Sequence, residues 1–558
     1  MLSIHSAPSM ERLPRNLPIL LLGAAMVLSV AVTIAFCWHT TFFADTWDLL
    51  IDRRHLSLDT VLRPHNEHLV AIPILINALF LRVFGMTSDL PEIILLAGML
   101  VATAGLLFVY IERRLGAWPA LYAAVLLLFL GPAFEVLLWP FEIALVGPMT
   151  FGLAALLLLD RPSSRNDVLA CLCLTVGLGF SDLGVPFIAA GFVAVMLRPR
   201  DQWLSRAYVW AVPLLAFIVW YIGWGQETES HFGLHNLLAT PAFVINTICV
   251  SVGALTGLGT EPTLVVDTTW GRIAALVLVG GVAYWWWLRR PRLDRTLWPI
   301  LAAATANWIL TAFSAFAGRE PTSSRYQYAG AIFVLGILAC LLSGARPRRN
   351  WLIAGAVLVL LAVGPNLVAL REASKNYKKE AVLTRADTAA IEIARNSVEP
   401  LFELVPENAG TGALVNVYAA QYLEAVEEFG SPAYSLAELE SAPPPGRLQA
   451  DIVLFYALPV TVETTPGVEK GGGGENCIDA GQAGAEEVRI GFGKTRIEVA
   501  PGDDAGLSMR RFAGPGEFPV GLPSAPGEST TVLTVPRDKA PNPWYLHVTA
   551  DQMVRVCH

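Results

Sequence analysis

The chain has 558 residues, of which 54% are hydrophobic and only 15% are charged. Soluble globular proteins carry about 25% charged residues, so this composition excludes an ordinary cytosolic enzyme, a disordered chain and a fibrous protein. The formal net charge of −8 gives no support to nucleic-acid binding, and we expect no nucleic-acid partner.

Apolar runs long enough to cross a bilayer fill the first two thirds of the chain. About 20 helical residues, each rising roughly 1.5 Å, cross the hydrocarbon of a membrane. The clearest runs are 17–37, 91–111, 142–159, 206–224, 271–288, 295–316, 326–343 and 351–370, and the shorter or interrupted runs are 68–85, 117–131, 167–181, 183–197 and 237–258. The sequence therefore predicts a mainly α, polytopic transmembrane domain of about 11–13 spans over residues 1–370. The first run lacks a convincing cleavage site, which favours a signal anchor over a cleaved signal peptide.

The loops between these runs predict the orientation, because short loops rich in Arg and Lys stay in the cytoplasm. Basic loops surround Arg12 and Arg15, Arg113 and Arg114, Arg161 and Arg165, Arg198 and Arg200, Arg289, Arg290 and Arg292, and Arg346, Arg348 and Arg349. Thirteen crossings would put the middle basic loops on the wrong side. Eleven crossings fit if 237–258 and one segment within 68–111 do not fully cross. Either odd number sends everything after residue 371 to the extracytoplasmic side.

Residues 371–558 differ from the membrane part and predict a separate extracytoplasmic domain. They hold 16 Lys and Arg against 26 Asp and Glu, whereas residues 1–370 are nearly balanced. Residues 371–400 are charged and helix-prone, and short β-like runs separated by Gly and Pro follow, which is typical of an α+β or β-sandwich-like domain. The predicted strands are 451–456, 487–492, 495–500, 508–512, 530–535, 544–549 and 553–557, with loops or linkers at Pro443–Pro445 and Gly471–Gly474.

Cys477 and Cys557 are the two cysteines of this C-terminal domain, and the other five lie in or beside apolar runs. Two cysteines in an oxidising compartment favour one disulfide, with a pair of free thiols as the alternative. Common motifs of soluble enzymes, such as a Walker loop or C-x-x-C, do not occur in the sequence.

Polar residues that could carry chemistry gather in the predicted outer loops. Six of the nine histidines (39, 55, 65, 68, 231 and 235) lie in or beside loops 38–67 and 225–235. Asp45 follows the first span by eight residues, so its carboxylate is expected near the headgroup level, where a base would act on a lipid-borne donor. The alternative is that Asp45 and Asp48 solvate an interfacial helix anchored by Trp47. His65 and His68 could share a helix face and bind a divalent cation, although no third strong ligand stands at a fixed spacing.

Further candidates stand beside other apolar runs. Glu135 and Glu142 flank an interfacial turn, and Asp182 interrupts the run 167–197; acidic residues so close to hydrocarbon are costly unless they are paired or wet. A surface turn explains Asp182 equally well. Arg325, with Arg319 as a weaker alternative, could offer a bidentate fork to a phosphate. It could also be a snorkelling residue beside Tyr326.

The first-loop acid and several short patterns resemble bacterial members, of unassigned specificity, of the GT-C superfamily of polytopic glycosyltransferases. The patterns are Ala44-Asp45-Thr46-Trp47, Pro64-His65-Asn66-Glu67-His68-Leu69-Val70, Leu137-Leu138-Trp139-Pro140-Phe141-Glu142 and Ser324-Arg325-Tyr326. The resemblance covers about residues 17–370. Many members carry two adjacent acids in the first loop, whereas Thr46 occupies the second position here, which leaves Asp45 as the better candidate for the base.

The resemblance implies transfer of a sugar from a polyprenyl-phosphate donor to a cell-envelope glycan, lipid or protein acceptor at the bacterial plasma membrane, with inversion. Asp45 would be the general base. Asp48, His65, Glu67, His68, Trp139, Glu142, Arg325 and Tyr326 would bind substrate. The alternatives are a transporter or flippase of lipid-linked sugars, which would need charges at span centres and an internal repeat, and a non-catalytic scaffold whose outer domain binds glycan.

Overall fold

The computed structural model describes residues 16–227, 233–260, 264–291, 293–316, 318–345, 347–406, 410–467, 476–480, 486–502 and 504–558. His231, the loop Gly471–Gly474 and the basic residues Arg12, Arg15, Arg292 and Arg346 lie outside these ranges. The chain is mainly helical, with sheets towards its C-terminus, as the sequence predicts. It forms two compact units. Unit 1 comprises residues 1–38, 57–75 and 92–374, and unit 2 comprises 39–56, 76–91 and 375–558.

The helices up to residue 394 are mostly apolar. In chain order they are α1 (Leu17–Cys37), α2 (Thr46–Ile51), α3 (Leu58–Leu62), α4 (Ala71–Phe84), α5 (Leu90–Leu115), α6 (Ala117–Leu128), α7 (Phe134–Leu138), α8 (Ile143–Leu159), α9 (Ser164–Phe180), α10 (Val185–Met196), α11 (Arg200–Arg206), α12 (Tyr208–Gly223), α13 (Leu234–Thr256), α14 (Thr268–Arg289), α15 (Leu297–Phe313), α16 (Ser324–Leu341) and α17 (Arg349–Ala394).

Eight helical segments of the described chain are long and apolar enough to cross a membrane, which fits a multi-pass membrane protein. They are 17–37, 90–115, 140–159, 200–223, 234–256, 268–289, 324–341 and 349–394, and a ninth results if the pair 117–128 and 131–138, bent by 49°, counts as one span. Seven of the eight clearest predicted runs overlap this set. The eighth, 295–316, corresponds to α15, which has only 17 residues.

One group of helix ends in unit 1 carries the basic loops. The Nη2 of Arg114, at the end of α5, donates to both carboxylate oxygens of Asp160, at the end of α8, at 3.0 and 3.1 Å. Its Nε donates to Thr296 before α15, and its carbonyl oxygen accepts from Gly344 after α16. The predicted cytoplasmic loops that follow α5, α8 and α16 and precede α15 therefore meet at one level of the unit.

Helix α13 contacts two neighbouring helices through residues at its two ends. The amide of Asn236, in the first turn of α13, donates to the carbonyl oxygen of Phe313 at the end of α15. In the last turn, the hydroxyl of Thr256 accepts from Trp270 at the start of α14, at 2.9 Å. Helix α13 is also long and apolar enough to span a bilayer, and the sequence leaves both eleven and thirteen crossings open.

Unit 2 combines helices with two antiparallel sheets. The helices are α18 (Ala419–Phe429), α19 (Leu436–Glu440) and α20 (Pro444–Ala457). The described strands are β1 (Thr461–Pro466), β2 (Cys477–Ala480), β3 (Glu486–Ile490), β4 (Gly493–Val499), β5 (Ala505–Arg510), β6 (Val520–Ala525), β7 (Ser529–Val535), β8 (Trp544–Thr549) and β9 (Val554–Cys557). The strand orders are β1-β7-β4-β9-β2 and β3-β8-β5-β6. Inward residues of both sheets share one hydrophobic core, as alternating burial along β4, β7 and β8 requires.

Residues 39–56 of the first predicted outer loop fold into the core of unit 2, whereas the rest of that loop belongs to unit 1. Trp47 is fully buried, its indole nitrogen donates to the carbonyl oxygen of Phe42 at 3.1 Å, and its ring lies 6.1 Å from that of Tyr422. Ala44 forms a parallel bridge with Leu414, and the Ala44 N–H donates to Ala413 at 2.8 Å. Trp47 is therefore a core residue of unit 2 rather than an interfacial anchor.

Two sequence predictions for unit 2 are wrong. Residues 451–456, predicted as a strand, lie in helix α20, and Pro443–Pro445, predicted as a linker, starts that helix. A short apolar run has no clear period, whereas Pro in a first helical turn loses no intrahelical hydrogen bond. Asp451 fixes the helix in place, because its buried carboxylate accepts the backbone N–H groups of Arg511, Phe512 and Ala513.

The predicted disulfide is confirmed: Cys477 and Cys557 are bonded and pair directly across β2 and β9. The bond closes a loop between residues 80 positions apart and holds the short edge strand β2 on the sheet.

Replacing Cys557 by Ser should therefore destabilise unit 2. Loss of such a cross-link typically costs about 2–5 kcal/mol, because the unfolded chain regains its loop entropy. Thermal unfolding of the purified full chain in detergent measures the effect, with Cys173→Ala, at a free cysteine, as the matched control. Equal melting temperatures for the two variants would contradict a stabilising role for the bond.

Candidate functional site

A tight turn at His65–His68 opens the candidate site in unit 1. The N–H of His65 donates to the carbonyl oxygen of His68, and the N–H of His68 donates to that of His65, both at 2.9 Å. Asn66 has φ +53°, a left-handed conformation that Asn tolerates better than most residues. The sequence interpretation of a helix face shared by His65 and His68 is therefore wrong, because the two residues close a turn instead.

Glu67 in this turn pairs with Arg319. The Arg319 Nη1 lies 2.8 Å from Glu67 Oε2, and the two side chains are only 12% and 18% exposed. Arg319 also lies over the ring of Phe316, with its guanidinium carbon 4.5 Å from the ring centre. The loop between α15 and α16 is thus fastened to the His65–His68 turn by a mostly buried ion pair.

His68 pairs with Asp182, which stands in the break between α9 and α10. The His68 Nδ1 and the Asp182 Oδ1 are 2.8 Å apart, and the Ser181 hydroxyl donates to the same oxygen at 3.1 Å. Burial lowers the pKa of the imidazole, but the charge and hydrogen bond of Asp182 outweigh it, so the pKa is raised above its ordinary value. The carboxylate also fixes the ring through Nδ1, so that Nε2 is directed away from Asp182.

The remaining residue of the turn, His65, is buried and contacts the Trp139-Pro140-Phe141 segment. Its ring centre lies 5.1 Å from that of Phe141, which stacks on Trp139 at 5.3 Å. Glu142 directly follows and is also buried, at the start of α8. These aromatic rings form an apolar wall next to the polar turn.

Arg325 lies beside the same segment of the chain. Its Nε is 3.4 Å from Glu135 Oε2, and the Ser324 hydroxyl accepts the backbone N–H of Glu135 at 3.1 Å. Arg325 is 36% exposed, and Tyr326 is half-buried in the first turn of α16. The start of α16 is therefore tied to the start of α7.

Three of the four sequence patterns thus meet in unit 1. We call the set formed by the turn 65–68, the segment 135–142, Ser181–Asp182 and the segment 319–326 the loop cluster. It lies at the helix ends opposite the basic loops, since it contains the start of α8 and α16 and the end of α9. The sequence marked Asp182 and Glu135 as costly acids but did not reveal their partners, because those partners are 114 and 190 positions away along the chain.

The fourth pattern belongs to unit 2. Asp45 precedes α2 but makes no side-chain capping bond to it, and it is half-buried. Ala44, directly before it, has φ +47°, a conformation in which a residue with a Cβ is strained. Asp48 forms an ion pair with the buried Arg53, at 3.0 Å, which gives it a structural role within its own loop.

Among the described residues, no group of three His, Cys, Asp or Glu side chains could hold a metal ion. His68 is engaged with Asp182 and His65 with an aromatic ring, so the possible divalent cation finds no ready ligand set in the turn. Comparison with known proteins adds no identification: no protein-family model matches the sequence, and no curated protein is significantly similar to it.

The Glu67–Arg319 pair should couple energetically. Removing either charge from a mostly buried pair leaves the other without its partner, so Glu67→Gln and Arg319→Gln should each cost about 2 kcal/mol, while the double variant costs less than their sum. Thermal unfolding of the parent chain, the two single variants and the double variant in detergent measures the stability changes of this double-mutant cycle. The exposed Arg395–Glu427 pair, in which Glu427 is 68% exposed, is the control and should show little coupling. Strict additivity at Glu67 and Arg319 would argue against the pair.

Proposed function

We propose that the protein is a membrane glycosyltransferase that moves a sugar from a polyprenyl-phosphate donor to an extracytoplasmic glycan, lipid or protein acceptor. The observation that carries this proposal is the loop cluster. In it three cations, Arg319, Arg325 and His68, are each held by a carboxylate at the ends of apolar helices. Charged groups in such a place are costly, so their concentration at one end of a membrane bundle marks a functional site.

The chemistry of the cluster suits a phosphate leaving group. A phosphate that departs from an anomeric carbon needs hydrogen-bond donors and positive charge rather than a strong acid. Guanidinium groups supply both, and a carboxylate on one side fixes their direction. The stacked rings of Trp139 and Phe141 add an apolar surface beside these charges, as a lipid-linked sugar requires.

We assign the base to Asp45. In an inverting transfer, the acceptor oxygen bonds to the anomeric carbon as the bond from that carbon to the phosphate oxygen breaks, and one carboxylate takes the acceptor's proton. Asp45 supports this role because the strained Ala44, directly before it, fixes its backbone. Local strain of this kind is concentrated at functional sites.

We further propose eleven membrane crossings with unit 2 outside the cytoplasm. The crossing elements would be α1, α5, α6 with α7, α8, α9, α10, α12, α14, α15, α16 and α17. Helix α4 is left out because eleven crossings keep the basic loops on one side. With α13 also not crossing, all the basic loops fall on one side. The disulfide of unit 2 supports an oxidising location for that unit.

This topology can be tested by cysteine labelling in intact bacterial cells. An exposed cysteine introduced by Ser441→Cys in unit 2 should react with a membrane-impermeant maleimide, whereas Ser164→Cys, in a basic loop, should react only after lysis. The unmodified chain, with its five free cysteines, is the blank. If Ser164→Cys were labelled from outside and Ser441→Cys were protected, the orientation would be the opposite of the proposed one.

Replacing Asp45 by Asn should lower sugar transfer by about 10²–10⁴-fold, because a positioned base typically contributes a factor of that size. Transfer is measured in membranes with a panel of polyprenyl-phosphate sugars and envelope acceptors. Asp59→Asn, at an exposed acid of α3, is the matched control and should keep full activity. If Asp45→Asn kept full sugar-transfer activity while present in the membrane at the normal level, Asp45 would not be the base.

A further inference from the structure

His68 differs from the other cations of the loop cluster in that its charge depends on a proton. Its Nδ1 is held by Asp182 at 2.8 Å, and its side chain is 32% exposed. The second ring nitrogen, Nε2, carries a proton only in the imidazolium form, and only that form donates a hydrogen bond on both sides of the ring.

The charges that act on His68 come from three segments. Asp182 stands in the break between α9 and α10, Arg319 in the loop before α16, and Glu67 in the same turn as His68. Asp182 and Glu67 favour the imidazolium, and Arg319 opposes it. Glu67 and Arg319 are paired with each other at 2.8 Å, so their effects on His68 largely offset. Asp182 is therefore the main charge that favours the imidazolium form.

We infer that His68, braced by Asp182, donates a hydrogen bond from Nε2 to the phosphodiester anion of the lipid-linked donor, and that this contact exists only in the imidazolium form. The inference rests on the proposed function and adds to it a pH-dependent step in donor binding. Asp182 acts as a positioning residue, because it touches His68 rather than the donor. The pair is neutral when His68 is protonated and carries one negative charge when it is not, so deprotonation both removes a donor and adds repulsion towards an anion.

The direction of the pH dependence follows from the raised pKa of His68. Donor affinity should be highest below that pKa and should fall as the pH rises through it. In Asp182→Asn the imidazole loses the carboxylate that favours its charge, so burial dominates and the fall should move to lower pH.

The test is binding of a synthetic farnesyl methyl phosphodiester to the purified full chain in detergent between pH 5.5 and pH 9. The single acid of this probe stays ionised throughout that range, so any pH dependence belongs to the protein. Farnesol, which lacks the phosphate, measures the contribution of the prenyl chain alone to binding. Loss of a charged hydrogen bond should weaken binding of the probe by about tenfold or more, both in the parent chain at high pH and in His68→Gln at low pH.

Two further variants keep the test decisive. His68→Lys keeps a positive charge across the range and should restore affinity without the pH dependence, even if His68→Gln folds poorly. His235→Gln, at an exposed histidine of α13, should bind as the parent chain does.

Three results would overturn the inference. If binding of the probe does not change with pH, or changes equally in His68→Gln, His68 is not the titrating hydrogen-bond donor. The proposed function is not affected by that result. Equal competition by phosphatidylglycerol or by dimethyl phosphate would assign the site to membrane phospholipid or to a free phosphodiester instead of a prenyl donor. A parent chain that binds farnesol as tightly as the phosphodiester would contradict the proposed function itself.

Discussion

The cost of placing charge next to hydrocarbon shapes unit 1 more than any other constraint. Its described ion pairs lie at helix ends or in the loops between helices, at both ends of the unit. At the basic end, Arg198 meets Asp167 through two bonds of 2.8 Å, with side chains 8% and 1% exposed. In the loop cluster, Arg319 and Glu67 form a mostly buried pair at 2.8 Å, and the pairs Arg325–Glu135 and His68–Asp182 have side chains between 21% and 36% exposed. At both ends the pairs fasten loops and helix ends to one another, so each of these charges is matched by an opposite one.

The sequence predicted which residues belong to the loop cluster better than it predicted which of their side chains pair. Apolar runs and the polar residues beside them, such as the His65–His68 pattern and Glu142, are local features that hydropathy and spacing reveal, whereas only the resemblance singles out Trp139. The pairings of His68 with Asp182 and of Glu67 with Arg319 depend on which loops meet in space, and no local rule specifies that. Helix α20 shows the same limit: Asp451 makes sense only with the backbone of residues 511–513, which lies far along the chain.

The first loop shows why a division at one point in the sequence describes this chain poorly. Trp47 and its apolar neighbours are buried in unit 2, and the short segment 39–56 is therefore held by a core that is built mostly from residues after 375. A loop tied only to two membrane helices would leave Asp45 on a flexible support. Burial of Trp47 two positions away, together with the bridge from Ala44 to Leu414, fixes the backbone on both sides of Asp45.

In the proposed function, the histidine at position 68 has a consequence for donor binding. Arg319 and Arg325 carry guanidinium groups, and each is matched by a carboxylate. His68 carries an imidazole, and loss of one proton changes the net charge of its pair with Asp182. In the proposed function, the hold of the loop cluster on an anionic donor therefore varies with one proton on His68, because the imidazole loses both a positive charge and a hydrogen-bond donor when it is deprotonated.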